Sequence, residues 1–481
     1  MTRVSVIGTG YLGVAHAAGL AELGCDVVGL DVDEAKIASL TAGRLPFHEP
    51  GLPELLRRGL SNGRLRFTTS YREVADFAEV HFLCVGTPQR PGSYHADTSQ
   101  LDLAIEALAP LLTRPCLVVG KSTGPVGTAA RYTERLARCA PAGTAVDLAW
   151  NPEFLREGHA VADTLRPDRI VAGVQTPQAA RTLREIYARP VAEGTPLLVT
   201  DLATAELVKT AANAFLATKI SFINAMAEIC EVAGADVGLL AEALGHDPRI
   251  GTASMVPGIG FGGGCLPKDI RALQARATEL GAGQAVSFLA EIDAINLRRR
   301  EAAARLATEL AGGDLRGRQV GVLGAAFKAG TDDTRDSPAL HIAQDVYDRG
   351  ASVSVYDPVA SARAAVEHPE LHYAGSILEA ADGADVLLVL TEWPEFAAAD
   401  PAEIGAVVAA RKVLDGRGAL DAARWRQAGW QYRTLGRAQP RSRAGDQLAE
   451  RRTGPWPAAR EQLAAGVAQA TPVPQAGRSA G

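Results

Sequence analysis

The sequence predicts an α/β protein of two doubly wound, parallel-sheet domains joined by a long central helical region. Three observations predict it. Between residue 4 and residue 150, short apolar runs that end in glycine or an acid alternate with helical patterns. The same order of strand, turn and helix restarts at Gln319. Between the two, Thr204 to Ala233 and Ala285 to Ala311 keep a helical period for many turns.

Size and charge bound the rest. A chain of 481 residues with 47% hydrophobic content has enough apolar material for two or three full cores. A formal net charge of -6 leaves no broad basic surface, so neither nucleic acid nor an anionic membrane is an expected partner. No apolar run approaches membrane-spanning length, and Met1-Thr2-Arg3 enters a strand at once without room for a signal peptide. A cytoplasmic protein is expected. The six cysteines, at 25, 84, 116, 139, 230 and 265, show no CxxC spacing and mostly sit in apolar segments, as reduced core residues do. His368 and His372 have a helical spacing, but Pro369 lies between them, and they read as a solvated loop with no metal.

The first strand, Val4 to Gly8, runs into Gly8-x-Gly10-x-x-Gly13 and a helix from Tyr11 to Leu23 that Gly24 stops. The second strand, Asp26 to Leu30, ends in Asp31. Strand, glycine turn, helix, strand and a following acid together make a Rossmann-like dinucleotide site. The carboxylate would bond a ribose hydroxyl and repel the extra phosphate of NADP, so NAD is the expected cofactor. Val80 to Val85 ends in Gly86-Thr87-Pro88, and Cys116 to Gly120 ends in Lys121-Ser122-Thr123-Gly124. Ligands collect at the carboxyl ends of parallel strands, so Thr87 and Thr123 are placed to face the cofactor, although either hydroxyl could equally cap a helix. A fifth strand, Ala145 to Trp150, leads into Asn151-Pro152-Glu153-Phe154-Leu155-Arg156-Glu157-Gly158. Two carboxylates and a cation there are a site or a solvated loop, and the strand-end location favours a site.

In the central region Lys209 and Asn213 share one helix face. Long helices between two sheet domains form a spine and offer a dimer surface, and a homodimer is expected. The stretch Gly258-Ile259-Gly260-Phe261-Gly262-Gly263-Gly264-Cys265-Leu266-Pro267-Lys268-Asp269 then puts five glycines in seven residues just before a cysteine and a helix start. A thiol at a helix N-terminus with Lys268 nearby is expected to have a lowered pKa and to serve as a nucleophile, with Asp269 one turn on to handle a proton or a water. The plain alternative is a glycine turn with an incidental cysteine.

In the second half Ser352 to Tyr356 ends in Asp357 as the second strand ends in Asp31, Val386 to Leu390 mirrors Val80 to Val85, and Lys412 to Leu414 mirrors the fourth strand. Gly324-Ala325-Ala326-Phe327-Lys328 stands in place of GxGxxG, and Lys328, Arg335 and Arg417 follow strand ends, which suits a phosphate-bearing substrate over a second dinucleotide. The divisions expected are 1–200 for the NAD-binding domain, 201–311 for the helical region, 312–437 for the second Rossmann-like domain and 438–481 for a disordered tail.

Phe47 to Leu52, Val85 to Pro88, Lys121-Ser122-Thr123, Asn151 to Gly158, Pro167 to Val171, Phe261 to Asp269 and Phe327 to Asp333, in this order, resemble the UDP-glucose/GDP-mannose dehydrogenase family over nearly all of 1–437. Pro167 to Val171 and the region of Gly258 are most similar to the members that act on UDP-glucose. Gly124 and Gly264 depart from bulkier residues or serine, and Gly418-Ala419 from an asparagine-containing turn. The resemblance implies a four-electron oxidation of a sugar alcohol to a carboxylate with two NAD+ at one site, through a thiohemiacetal and thioester on Cys265. It further implies that Lys209 and Asn213 hold the oxyanion, Asp269 and Thr123 position water, and Glu153 is the base of hydrolysis. Gly8, Gly10, Tyr11, Leu12, Gly13, Asp31, Lys36, Thr87, Thr123, Glu157, Lys268 and Arg335 are implied at the cofactor. Glu153, Phe154, Leu155, Lys209, Asn213, Ser254, Met255, Val256, Pro257, Gly258, Gly262, Lys328 and Arg417 are implied at the nucleotide sugar, with Arg249 reaching the neighbouring subunit's site. GDP-mannose or an N-acetylated UDP-hexosamine is the alternative substrate. A non-catalytic NAD-binding sensor is opposed by the joint presence of these groups, and a single-step hydroxyacid dehydrogenase leaves Cys265 unexplained.

Overall fold

The computed structural model describes residues 2–437, and the disorder expected of 438–481 lies outside them. The amino-terminal sheet comprises β1 (Arg3–Ile7), β2 (Asp26–Leu30), β3 (Leu65–Thr68), β4 (Val80–Leu83), β5 (Cys116–Gly120), β6 (Val146–Trp150), β7 (Ile170–Val174) and β8 (Leu197–Thr200). Their order is β3-β2-β1-β4-β5-β6-β7-β8, parallel except where β6 meets β7. Alternate residues feed two cores, Val6, Phe82 and Val119 on one face and Ile7, Leu83 and Val118 on the other. Burial on both faces is why these strands read as unbroken apolar runs.

The second sheet comprises β9 (Gln319–Leu323), β10 (Ser352–Tyr356), β11 (His372–Tyr373), β12 (Val386–Val389), β13 (Lys412–Asp415) and β14 (Gln431–Thr434), in the order β11-β10-β9-β12-β13-β14 and parallel throughout. One sequence reading is overturned in part. His368 lies in the loop after the helix Ser361–Glu367 as expected, but His372 is in an edge strand, paired with Ser354. The helix ends before Pro369, and pairing with β10 recruits the next residues.

Asp357 ends β10 where Asp31 ends β2, but the two carboxylates are used differently. Asp357 is buried and accepts from the amides of Ala325, Ala326, Val359 and Ala360 and from the Trp393 indole, at 2.8 to 3.1 Å. It fastens its own strand-end turn and keeps no free lone pair for a ribose.

A 32-residue helix, Leu202–Ala233, spans roughly 48 Å between the sheets. Asp201 caps its start through the Thr204 amide, and Gly234, at φ +79, ends it. It packs on the helices Leu266–Glu279 and Phe288–Leu310 through Ala214, Ala217, Ile270, Leu289 and Ile292. The two halves also touch at their strand ends. Tyr11 donates to Asp332 at 2.7 Å and accepts from Arg363 at 2.8 Å, and Glu157 meets Thr331 and Arg335 at 3.1 and 3.2 Å. Among the described residues no helix is long and apolar enough to cross a membrane.

Candidate active site

The glycine turn after β1 is built by close approach. A Cβ at Gly13 would lie 1.8 Å from the Gly8 carbonyl oxygen, so the helix Tyr11–Glu22 can start this close to the strand only with glycine there. A Cβ at Gly10 would meet nothing within 4 Å, leaving the space over the turn open. Asp31 Oδ2 accepts from the Thr9 amide and hydroxyl, both at 2.9 Å, and from Lys36 Nζ at 3.0 Å. Burial opposes ionisation of Asp31, but these donors prevail and its pKa is lowered. An open glycine turn at a helix N-terminus with an ionised acid beside it fits NAD. Leu12 packs into the core below, Thr87 is buried past β4, and Thr123 is half-buried past β5.

The glycine loop is held by its backbone. Gly258 N donates to Asn224 Oδ1 at 2.8 Å, and Asn296 both accepts from Phe261 N at 2.7 Å and donates to its carbonyl at 2.9 Å. Arg417 donates to the carbonyls of Gly260, Phe327 and Leu390 at 2.9 to 3.1 Å, so it fastens the loop to the second sheet. Gly260 has φ +95, and any Cβ there would come 2.4 Å from Asn296 Oδ1.

That loop delivers Cys265 to the start of the Leu266–Glu279 helix, against the central helix. Lys209 Nζ lies 2.8 Å from Glu153 Oε1, Asn213 Nδ2 donates to Asp269 Oδ2 at 2.6 Å, and Lys268 Nζ lies 2.5 Å from Asp269 Oδ1. Glu153, Lys209, Asn213, Cys265 and Asp269, drawn from three parts of the chain, thus form one cluster. Burial disfavours the Lys209 ammonium, but Glu153, Cys265 and Asp269 more than offset it and raise its pKa.

The expectation of a depressed thiol is overturned. Cys265 is open to solvent on its outer side, yet the protein mass around it pushes its pKa up to about 11, with Glu153 and Asp269 adding to the rise and Lys209 opposing it. Lys268, paired with Asp269, also opposes the rise but less than Lys209 does. The resting group is a thiol.

The remaining residues divide. Burial, with Asp333 adding, raises Glu157 to about 7 against the pull of Arg335. Phe154 lies under the Arg169 guanidinium at 3.8 Å and 5.9 Å from Lys209 Nζ. Leu155 packs toward the amino-terminal core, and Lys328 is partly buried beside the Phe327 ring. Gly262 and Pro257 are buried, Val256 is exposed, and Ser254 holds a left-handed φ of 63. Met255 turns into the helical core with Ile223 and Val237, so its side chain does not face the cluster. Arg249 stays in an exposed turn on Asp247 at 2.6 Å, apart from the other site residues of its own chain. Sequence reading missed Asn224 and Asn296, and took in Arg169 only as part of the Pro167 to Val171 motif, without a role. A lone amide or guanidinium inside a helix or loop carries no local sign of a distant partner.

A dinucleotide cradle on one sheet, a second sheet closed to dinucleotide, and a charged cluster at their junction define an NAD-dependent dehydrogenase. The NAD binding domain of the UDP-glucose/GDP-mannose dehydrogenase family matches residues 2–191, its central domain residues 203–298 and its UDP binding domain residues 321–422. The chain belongs to the UDP-glucose/GDP-mannose dehydrogenase family and is a nucleotide-sugar dehydrogenase. It is 41% identical over 446 residues to a UDP-glucose 6-dehydrogenase of Pseudomonas aeruginosa, covering 90% of this chain and 97% of that one. It is 40% identical over 439 residues to one of Rhizobium meliloti, covering 90% and 99%. A solved UDP-glucose dehydrogenase from Pyrobaculum islandicum superposes with a TM-score of 0.81 at 39% identity, covering 87% and 94%.

Proposed function

We propose that this chain oxidises the C6 alcohol of UDP-glucose to the carboxylate of UDP-glucuronate, reducing two NAD+ per sugar. The observation that carries the reading is the gathering of Cys265 with Lys209, Asn213, Glu153 and Asp269 at the junction of the two halves. An enzyme that stops at an aldehyde or ketone needs no nucleophile there. When bound, NAD+ accepts one hydride in each of the two oxidations. Cys265 adds to the C6 aldehyde: the S–H proton passes to water, the C–S bond forms, and the carbonyl π pair moves onto oxygen. Lys209 and Asn213 stabilise the new oxygen anion. The thiohemiacetal so formed loses hydride to give a thioester, which water cleaves to the acid and the free thiol. Glu153 takes the water's proton, and Asp269 and Thr123 hold that water.

The 40% identity to UDP-glucose 6-dehydrogenases supports UDP-glucose over GDP-mannose or an N-acetylated UDP-hexosamine. We also infer a cytoplasmic homodimer. Phe215, Phe222 and Ile229, seven residues apart on the central helix, are 67%, 47% and 57% exposed, a stripe that a second copy would cover. The test is stoichiometry: UDP-glucose should yield two NADH and UDP-glucuronate, and faster turnover of either alternative sugar nucleotide would overturn the assignment.

A further inference from the structure

Lys121 lies just past β5, two residues before Thr123, and turns inward to 8% exposure. Its Nζ donates to Asn151 Oδ1 at 3.1 Å and lies 3.5 Å from the Tyr187 hydroxyl. Among the described residues it makes no ion pair. Asn151, just past β6 and two residues before Glu153, also accepts from Tyr187 at 2.6 Å and donates to the Val171 carbonyl at 2.7 Å. Its side-chain oxygen accepts two bonds, and both strand ends are tied through this amide.

The other groups facing this ammonium are His16 on the first helix, Cys84 at the end of β4, and the pair Glu153 and Lys209. Burial, with Lys121 adding to it, holds His16 well below the usual imidazole range, and burial pushes the Cys84 thiol up to about 12. His16, Cys84, Tyr187 and Asn151 are thus neutral, and Glu153 is the carboxylate among the groups around Lys121. A buried cation without a contacting counter-ion is costly, so its presence beside the catalytic carboxylate calls for a reason.

We infer that Lys121 is a positioning residue for the proposed reaction, tying the loops of Thr123 and Glu153 together through Asn151 and placing a second positive charge behind Glu153. This rests on Glu153 being the base of thioester hydrolysis. Lys209, in contact at 2.8 Å, and Lys121, within electrostatic range, both bring positive charge to bear on Glu153 while a neighbouring oxygen anion forms. Burial pulls Lys121 itself down to about 8, so it carries its charge at neutral pH and loses it above.

The experiment is single-turnover conversion of the C6 aldehyde of UDP-glucose to the acid with saturating NAD+, from pH 5.5 to 9. Lys121→Gln keeps a donor for Asn151 and removes the charge. Its rate should fall about tenfold at pH 7 with little change in KM, and its loss of rate at low pH should move upward by roughly half a pH unit or more. Tyr187→Phe, which keeps the charge, should lower Tm without moving that loss. A Lys121→Gln profile that superposes on wild type, with only Tm reduced, would make Lys121 a packing residue and overturn the inference. Should Lys121→Gln not fold, Asn151→Asp retains the lysine and neutralises it, and the same displacement supports the inference while its absence overturns it. Glu153→Gln separates the two readings. If it keeps the wild-type loss at low pH, Glu153 is not the base and the underlying reading fails; if it abolishes that loss while Lys121→Gln leaves it in place, the inference alone fails.

Discussion

Lys209→Met keeps the stem's length and removes the ammonium that joins the Glu153 loop to the central helix. The pair is 2.8 Å apart with side chains 6% and 12% exposed. Its Coulomb energy has a ceiling of roughly 6 kcal/mol at an effective dielectric of 20. Breaking a buried pair by removing one partner usually costs about 3–5 kcal/mol, because the other charge stays behind uncompensated. The variant should therefore unfold at visibly lower urea, and Glu153→Gln, which instead strands the lysine, should do likewise. The double variant leaves no charge uncompensated. It should be more stable than the sum of the singles by about 2 kcal/mol or more, while turnover to the acid stays lost. Iodoacetamide labelling of Cys265 should slow about tenfold in Lys209→Met, since the cation that opposes the rise in thiol pKa is gone. Additive stabilities in the cycle, or unchanged labelling, would refute the reasoning.

Cys265→Ser should still bind UDP-glucose and run the first oxidation slowly, while acid formation falls on the order of 10⁴-fold; acid production at a comparable rate would end the covalent route. Glu206 on the central helix accepts from the Gly127 and Ala129 amides at 2.8 and 2.7 Å, and burial raises it to about 7. The folded state thus binds a proton that the unfolded state has released between pH 4.5 and 7, so this stabilisation is full below pH 4.5 and is lost as pH rises through 7. The stability gap between wild type and Glu206→Gln should accordingly be wider at pH 5 than at pH 8, and a gap that is constant or grows would contradict it. Asp31 should make kcat/KM for NAD+ exceed that for NADP+ by about 100-fold, and Asp31→Ala should narrow the ratio; equal constants in wild type would defeat the assignment.

The interior strands were legible because they are buried on both faces, and a run such as Cys116 to Gly120 has no other reading than an apolar one. β3 and β8 were not. Each is only four residues long, so the alternation of Leu65 to Thr68 and the apolar run Leu197 to Val199 are too brief to stand apart from a turn or a helix edge. β7 runs against β6, which departs from the repeating parallel unit that guided the reading. At the site, the residues were legible as motifs and their partners were not. Lys209 and Asn213 were visible as one helix face, but the pairing of Lys268 with Asp269 is a choice between neighbours that only the packed structure makes. The same holds for the thiol's pKa, where the mass packed around it outweighs the helix start that the sequence displays.

Asp357 has a consequence for timing. With that carboxylate consumed by its own turn, the described residues offer a single seat for a dinucleotide. A four-electron course must then vacate and refill that seat midway, while the half-oxidised sugar waits. A free aldehyde would diffuse away or react elsewhere during the wait, and a covalent bond to the protein turns the pause into a safe one. The supply of fresh NAD+ against accumulating NADH then governs how long the sugar waits, so such an enzyme reports the redox state of its surroundings without any separate regulatory site.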